Sequence, residues 1–164
     1  MDLKVFKFGG ASVKDAEGVK NLAAVLKTTG HKETLIVVSA MGKTTNAIEL
    51  VIKNYFENKV ELQSAIHEVI KYHNEILLDL FDNERHQVFT AVKGLCDELT
   101  LFFKSNKSPD YNYVYDQTIG FGELISTTII SHYLNEIGLR NKWIDVREFI
   151  KTDNYYRRSN VNWE

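Results

Sequence analysis

Apolar positions change period along this chain, and the changes divide it into elements. Leu3 to Phe8 is short, aromatic and β-branched, which predicts a strand. From Asp15 to Thr29 the apolar residues Val19, Leu22, Ala23 and Leu26 recur at helical spacing, and Gly30 follows as a C-cap. Thr34 to Ser39 is a continuous apolar run, the pattern of a strand buried on both faces of a parallel sheet. Strand, helix and strand in that order make a βαβ unit.

Three longer helical patterns come next. Asn46 or Thr45 is placed to cap a helix with Ile48, Val51, Ile52 and Tyr55 on one face. Val60 to Phe81 carries Ile66, Val69, Ile70, His73, Ile76, Leu77 and Leu80 in phase, and Glu84 to Phe103 carries Val88, Val92, Leu95, Leu99 and Phe102. These two predict an antiparallel hairpin that turns at Asp82-Asn83. A polar loop follows at 104–110. Gly120-Phe121-Gly122 then precedes a helix from Glu123 to Glu136, ended by Gly138. Arg140 to Val146 alternates weakly and predicts a third strand, and Ile150 to Asp153 the start of a fourth. Val161 to Glu164 reads as the opening of a further element, so a fragment of a longer protein is expected.

Composition narrows the class. The 164 residues suit one domain, and a chain of this size buries roughly 70% of its unfolded surface. A net charge of −2 gives no field favouring nucleic acid or an anionic membrane. No apolar run approaches the ~20 residues of a membrane span, and Asp2 with Gly9-Gly10 breaks any signal-peptide pattern. The single Cys96 excludes an internal disulfide and fits a reducing cytoplasm. It lies four residues after Val92 and is expected in the core. The five histidines show no metal-ligand spacing, so no metal ligand is assigned. His67 and His73 are expected at the surface or at an interface. Tyr111, Tyr113 and Tyr115 are expected to pack rather than to stack bases, since no basic groove accompanies them.

The candidate chemistry begins where the first strand meets the first helix. Gly9 and Gly10 allow backbone N–H groups to approach an anion without a Cβ in the way. The following helix N-terminus adds positive potential, and Lys7 stands two residues before the turn. The alternative is an αβ turn with two structural glycines. Gly42-Lys43-Thr44 imitates the end of a P-loop, but the first glycine that motif needs is replaced by Val37 inside a strand. At Ser39 and Thr45, two hydroxyls beside a helix start suit a carboxylate, with plain helix capping by Thr44 or Thr45 as the alternative. Glu123 falls in a first helical turn, where an acid is favourable with or without a ligand.

Lys7-Phe8-Gly9-Gly10-Ala11-Ser12-Val13 closely resembles the opening signature of the aspartate kinases, within the amino-acid kinase family. Ala11 stands where most members have Thr or Ser. Ser39-Ala40 with Thr45-Asn46, Gly122-Glu123, and Trp143-Ile144-Asp145-Val146-Arg147 with Thr152-Asp153 resemble three later blocks in the same order. The last block carries no assigned chemistry, and Asp145 with Arg147 reads as a local ion pair.

The resemblance implies an α/β fold: a three-layer αβα sandwich with a mainly parallel sheet, truncated, with a helical hairpin inserted at about 60–104. It implies that residues 1–164 form the amino-acid lobe, without the ATP lobe or the ACT regulatory domains. It also implies phosphorylation of the L-aspartate side chain by ATP with Mg2+, the first step of lysine, threonine and methionine synthesis. The fragment alone is then expected to be inactive and the full-length protein to be a homo-oligomer. On this reading Lys7 is catalytic, Lys7, Gly9, Gly10 and Ser12 address phosphate, and Ser39, Thr45 and Glu123 hold the amino acid. Rival readings are a glutamate or acetylglutamate kinase, and a non-catalytic α/β interaction module.

Overall fold

The computed structural model describes residues 3–163. Strand β1 (Lys4–Phe8) leads through a 3-10 turn (Gly10–Val13) into helix α1 (Ala16–Thr29), and strand β2 (Thr34–Val38) follows. Asp15 caps α1 by accepting a 2.8 Å hydrogen bond from the Gly18 N–H, which satisfies one of the donors left free at a helix start. β1 and β2 pair in parallel with Val5 opposite Leu35 and Lys7 opposite Val37. The expected βαβ unit is therefore present.

Five helices come after β2: α2 (Thr44–Glu57), α3 (Lys59–Leu80), α4 (Gln87–Ser105), α5 (Tyr111–Ile119) and α6 (Phe121–Glu136). Helix α5 lies where the sequence suggested only an aromatic run. Asp110 starts it by accepting from the Asn112 and Tyr113 amides.

The core has two parts. One joins Leu22 and Leu26 of α1, Leu77 of α3, Val88, Val92 and Cys96 of α4, and Ile125 and Ile129 of α6 under the inner face of the sheet. The other joins Ile48 and Ile52 of α2, Ile66 and Val69 of α3, Leu99 and Phe103 of α4, and Val114 of α5. The end of α3 thus shares one cluster with the start of α4, and the start of α3 shares the other with the end of α4. That is the predicted antiparallel hairpin, and other helices pack against both of its arms. Cys96 is buried as expected, and burial pushes its thiol up to about 11.

Two strand expectations fail. β2 is not covered on both faces: Leu35 and Val37 remain 45% and 43% exposed, beside the exposed Val5 and Lys7 of β1. Among the described residues only the face bearing Phe6, Phe8, Ile36 and Val38 meets helices. Residues 140–145 form no strand. Strands β3 (Lys151–Thr152) and β4 (Val161–Asn162) instead pair antiparallel in a small separate sheet. The alternation in 140–146 found no neighbouring strand to complete a ladder, and local bonds shaped the segment. Asp145 accepts from the Arg147 amide at 3.0 Å and pairs with its guanidinium at 2.6 Å. That ion pair was expected, and the Arg147 hydrogen bonds hold the Asp145 carboxyl below the usual carboxylate range.

Candidate functional site

Three loops meet around Ala40. The Ser39 amide donates to the Phe8 carbonyl at 3.1 Å, and the Gly42 amide donates to the Gly10 carbonyl at 3.0 Å. The β2–α2 loop is thereby held along the glycine turn. Gly10 is required by this approach, because a Cβ there would lie 2.6 Å from the Ala40 carbonyl oxygen. Gly42 has φ +53°, a left-handed conformation that side chains disfavour. From α6, Glu123 Oε1 accepts from the Ala40 amide at 3.4 Å, and Ser126 Oγ donates to the Ser39 carbonyl at 2.9 Å. Residues from three distant parts of the sequence are thus fixed to one another by backbone and side-chain bonds.

The candidate residues fall on this junction. Lys7 lies on the open face of β1, two residues before the glycine turn, and no ion pair among the described residues involves it. Gly9 has open space where a Cβ would stand. Ser12 is exposed in the 3-10 turn, its amide donating to the Gly9 carbonyl. Ser39 and Thr45 are half-buried, and their hydroxyls make no hydrogen bond among the described residues. Glu123 is the third residue of α6, and its second carboxylate oxygen also makes none.

Helix capping does not account for Thr45. The residue preceding α2 is Lys43, which supplies no side-chain cap, so neither Thr45 nor Asn46 has that role. The helix begins at Thr44, whose hydroxyl turns back to the Met41 carbonyl at 2.6 Å. Thr45 is left in the first turn of α2, where the helix dipole favours a negative ligand.

His73 corrects another expectation. It is fully buried. Its ring Nδ1 lies 2.8 Å from the Val69 carbonyl and its Nε2 3.4 Å from Thr44 Oγ1. Burial lowers its pKa, against an opposing pull from the Val69 bond. The neighbouring Tyr72 donates its hydroxyl to the Lys14 carbonyl. The signal for His73 was present in its helical phase with Ile66, Val69 and Ile76. Nothing in the sequence pointed from α3 to the loop at 40–45.

A match to the amino acid kinase family spans residues 2–162, and the chain belongs to that family. Within it, the chain is similar to aspartokinases. It is 33% identical to aspartokinase 1, chloroplastic, of Arabidopsis thaliana, over 92% of this chain and 27% of that protein. It is 25% identical to the bifunctional aspartokinase/homoserine dehydrogenase 2 of Escherichia coli K12, over 92% of this chain and 18% of the relative. The fold matches Escherichia coli aspartokinase III in complex with aspartate and ADP with a TM-score of 0.84 at 21% identity. That match covers 98% of this chain and 35% of the solved one. The chain therefore spans about a quarter of that aspartokinase 1, less than a fifth of the bifunctional relative and about a third of the solved structure. No described helix is long and apolar enough to cross a membrane.

Proposed function

We propose that residues 1–164 are the amino-acid-binding lobe of an aspartate kinase, which transfers the γ-phosphoryl group of ATP to the side-chain carboxylate of L-aspartate. The product, 4-phospho-L-aspartate, would open the route to lysine, threonine and methionine. One observation carries this reading. The 39–42 loop is bonded to the strand end and glycine turn that follow Lys7 and to Glu123 of α6, so the segments bearing a cationic, two hydroxyl and an anionic candidate are joined at one loop.

The residues present fit the two ligands. A lysine that is exposed and has no ion pair among the described residues, near the open space at Gly9, suits phosphate. The Ser39 and Thr45 hydroxyls, after β2 and in the first turn of α2, make no hydrogen bond among the described residues and suit a carboxylate, and the second Glu123 oxygen, likewise without a partner among them, suits an ammonium. ATP, when bound, supplies the phosphoryl group. Among the described residues no cluster of three His, Cys, Asp or Glu side chains could hold a metal ion. The Mg2+ is therefore assigned to the phosphates and to chain outside this lobe.

The acceptor is already a carboxylate at neutral pH, so no general base is needed. Catalysis then consists of positioning and charge neutralisation. Lys7 would supply positive charge to the phosphoryl oxygens, whose negative charge is redistributed in the transition state, with the Gly9 and Gly10 amides and Ser12 beside it. Ser39 and Thr45 orient a substrate carboxylate. Glu123 holds the α-ammonium while its other oxygen stays on the Ala40 amide.

Calorimetric titration of this chain tests the assignment. L-Aspartate is expected to bind, L-glutamate at least about tenfold more weakly, and N-acetyl-L-glutamate not at all, because acetylation removes the charge that Glu123 would meet. Preference for N-acetyl-L-glutamate would overturn the reading in favour of a different amino-acid kinase. Absence of binding by all three would favour an interaction module.

A further inference from the structure

Helix α3 belongs to the inserted hairpin and contributes none of the candidate ligand-binding residues, yet two of its consecutive side chains reach both loops of the site. The Tyr72 hydroxyl donates to the Lys14 carbonyl just beyond the glycine turn, and it lies against Gly42, where a Cβ would stand 2.5 Å from it. His73, the next residue, sits beneath Thr44, the immediate neighbour of Thr45.

The protons in this buried group can be counted. An imidazole nitrogen 2.8 Å from a carbonyl oxygen must carry hydrogen, so His73 Nδ1 is the donor to Val69. In the neutral ring Nε2 is then an acceptor. Among the described residues the Thr44 hydroxyl is the one side chain within hydrogen-bonding reach of it, at 3.4 Å. That hydroxyl has a single proton and a second acceptor, the Met41 carbonyl, at 2.6 Å. One proton thus serves two buried acceptors, and the longer contact sits at the limit of a hydrogen bond. A small shift of Thr44 toward α3 would redistribute it. The proton is placed where the β2–α2 loop turns into its helix, between Ser39 and Thr45.

We propose that His73, in its neutral Nδ1–H form, is a positioning residue that sets the orientation of the 39–45 loop through Thr44, with Tyr72 bracing the same loop at Gly42. It acts on the amino-acid ligand without touching it. This rests on the assignment of Ser39 and Thr45 to that ligand. Because α3 lies in the hairpin, the inserted helices gain a defined role in shaping the site.

Nitrogen-15 NMR of the imidazole rings in this chain tests the tautomer first. A protonated Nδ1 and an unprotonated Nε2 are expected for His73 at pH 7.5, and the reverse pattern would overturn the proposal. Next, His73→Leu and His73→Gln are compared in the full-length kinase carrying this lobe. Leu is expected to raise the aspartate KM about 5- to 20-fold while kcat and the ATP KM change less than about twofold. Gln, which keeps a polar group near Nε2, should recover much of that loss. Thr44→Val, which also removes the Met41 bond, should raise the aspartate KM at least as much, and adding His73→Leu to it should cost little more, because the contact between them is already gone. A variant that lowers only the melting temperature, or equal losses in Leu and Gln, would overturn positioning. If His73→Leu fails to fold, His73→Gln and Thr44→Val still give the comparison. A wild type without aspartate turnover would remove the functional reading alone. The tautomer, and the shift of the Ser39–Thr45 amides in Thr44→Val, would then decide the positioning role.

Discussion

Two regions carry most of the residues that resemble aspartate kinase motifs, and they are built in opposite ways. Around Ala40, bonds join residues far apart in sequence: Ser39 to Phe8, Gly42 to Gly10, Glu123 to Ala40 and Ser126 to Ser39. In 140–163 most hydrogen bonds are local, such as Asp145 to Arg147, Lys151 to the Arg147 carbonyl and Asp153 to Asn160. Trp143 Nε1 reaches Thr127 at 2.9 Å, and Tyr156 and Arg157 lie against Tyr113 and Tyr115. Phe149 remains 70% exposed. A motif in the first region takes its shape from the whole fold, whereas one in the second takes it from its own neighbours. Substitutions should therefore damage function around Ala40 and leave the fold nearly untouched in 140–163.

The largest effect is expected at Lys7. In the full-length kinase, Lys7→Ala should lower kcat about 10²- to 10³-fold with little change in the aspartate KM, since its charge matters most in the transition state. The melting temperature should hardly move, because this exposed side chain makes no ion pair among the described residues. A loss confined to KM would end its catalytic assignment. Next comes Glu123→Gln. The amide oxygen can still accept from Ala40, so the change isolates the charge. The aspartate KM should rise about 10- to 100-fold with the ATP KM unchanged. Unchanged aspartate kinetics with a lower melting temperature would reduce Glu123 to a favourable acid at a helix start.

Gly10→Val tests whether the junction is as tight as its distances suggest. A Cβ 2.6 Å from the Ala40 carbonyl oxygen must push backbone, not a flexible side-chain end. A loss of about 1–3 kcal/mol is expected, measured by urea unfolding, together with loss of aspartate binding. Full stability with full binding would show that the two loops are not held together.

How far each region was legible follows from the same contrast. The βαβ unit, the hairpin and the start of α6 were readable because apolar period and capping chemistry act locally. Lys7, Ser39, Thr45 and Glu123 were readable through the resemblance, and the structure brings their loops together. His73 was expected at the surface or an interface; its Nδ1 is satisfied within its own helix by the Val69 carbonyl, but the partner of its Nε2, Thr44, lies 29 positions away, where no local pattern points. The strand at 140–146 was misjudged because alternation needs a neighbouring strand, and sequence does not show whether one is present. The openness of β2 was missed for the same reason, since what covers a sheet face is a tertiary property.

Buried His73 also gives the junction a pH dependence near neutrality, whereas the lowered carboxyls of Asp145 and Asp153 in 140–163 act only at more acid pH. Its folded pKa is lowered, chiefly by desolvation, whereas the unfolded value is near 6.5. Below about pH 6.5 the unfolded chain binds more protons, so stability falls as pH drops and is level above that. His132, also lowered by burial, contributes in the same direction. Urea midpoints at pH 7.5 and 5.5 should show a smaller drop for His73→Gln than for the wild type, by at most about 1.4 kcal/mol per pH unit. Identical drops would mean that His73 does not titrate differently on folding.

The smallest effect on stability is expected at the exposed end, and it sharpens the comparison most directly. Phe149 and Ile150 are exposed and lie between the Asp145–Arg147 ion pair and β3. Replacing both by Ser removes apolar side chains that bury little, so stability should change by less than about 0.5 kcal/mol. Association should change more. Together with Leu35, Val37 and Val5 on the open sheet face, these residues expose apolar surface of the kind that drives contact between molecules. The wild-type chain should therefore sediment as a dimer or larger species at micromolar concentration, and the double variant should shift toward monomer. Val37→Lys on the sheet face, with 149 and 150 restored, separates the two surfaces. If it alone abolishes association, the sheet face is the contact. If neither change matters, or the wild type is a clean monomer at high concentration, exposure has been mistaken for adhesiveness. A loss of several kcal/mol in the Phe149/Ile150 variant would instead show that this segment, like the junction at Ala40, is fixed by the rest of the fold.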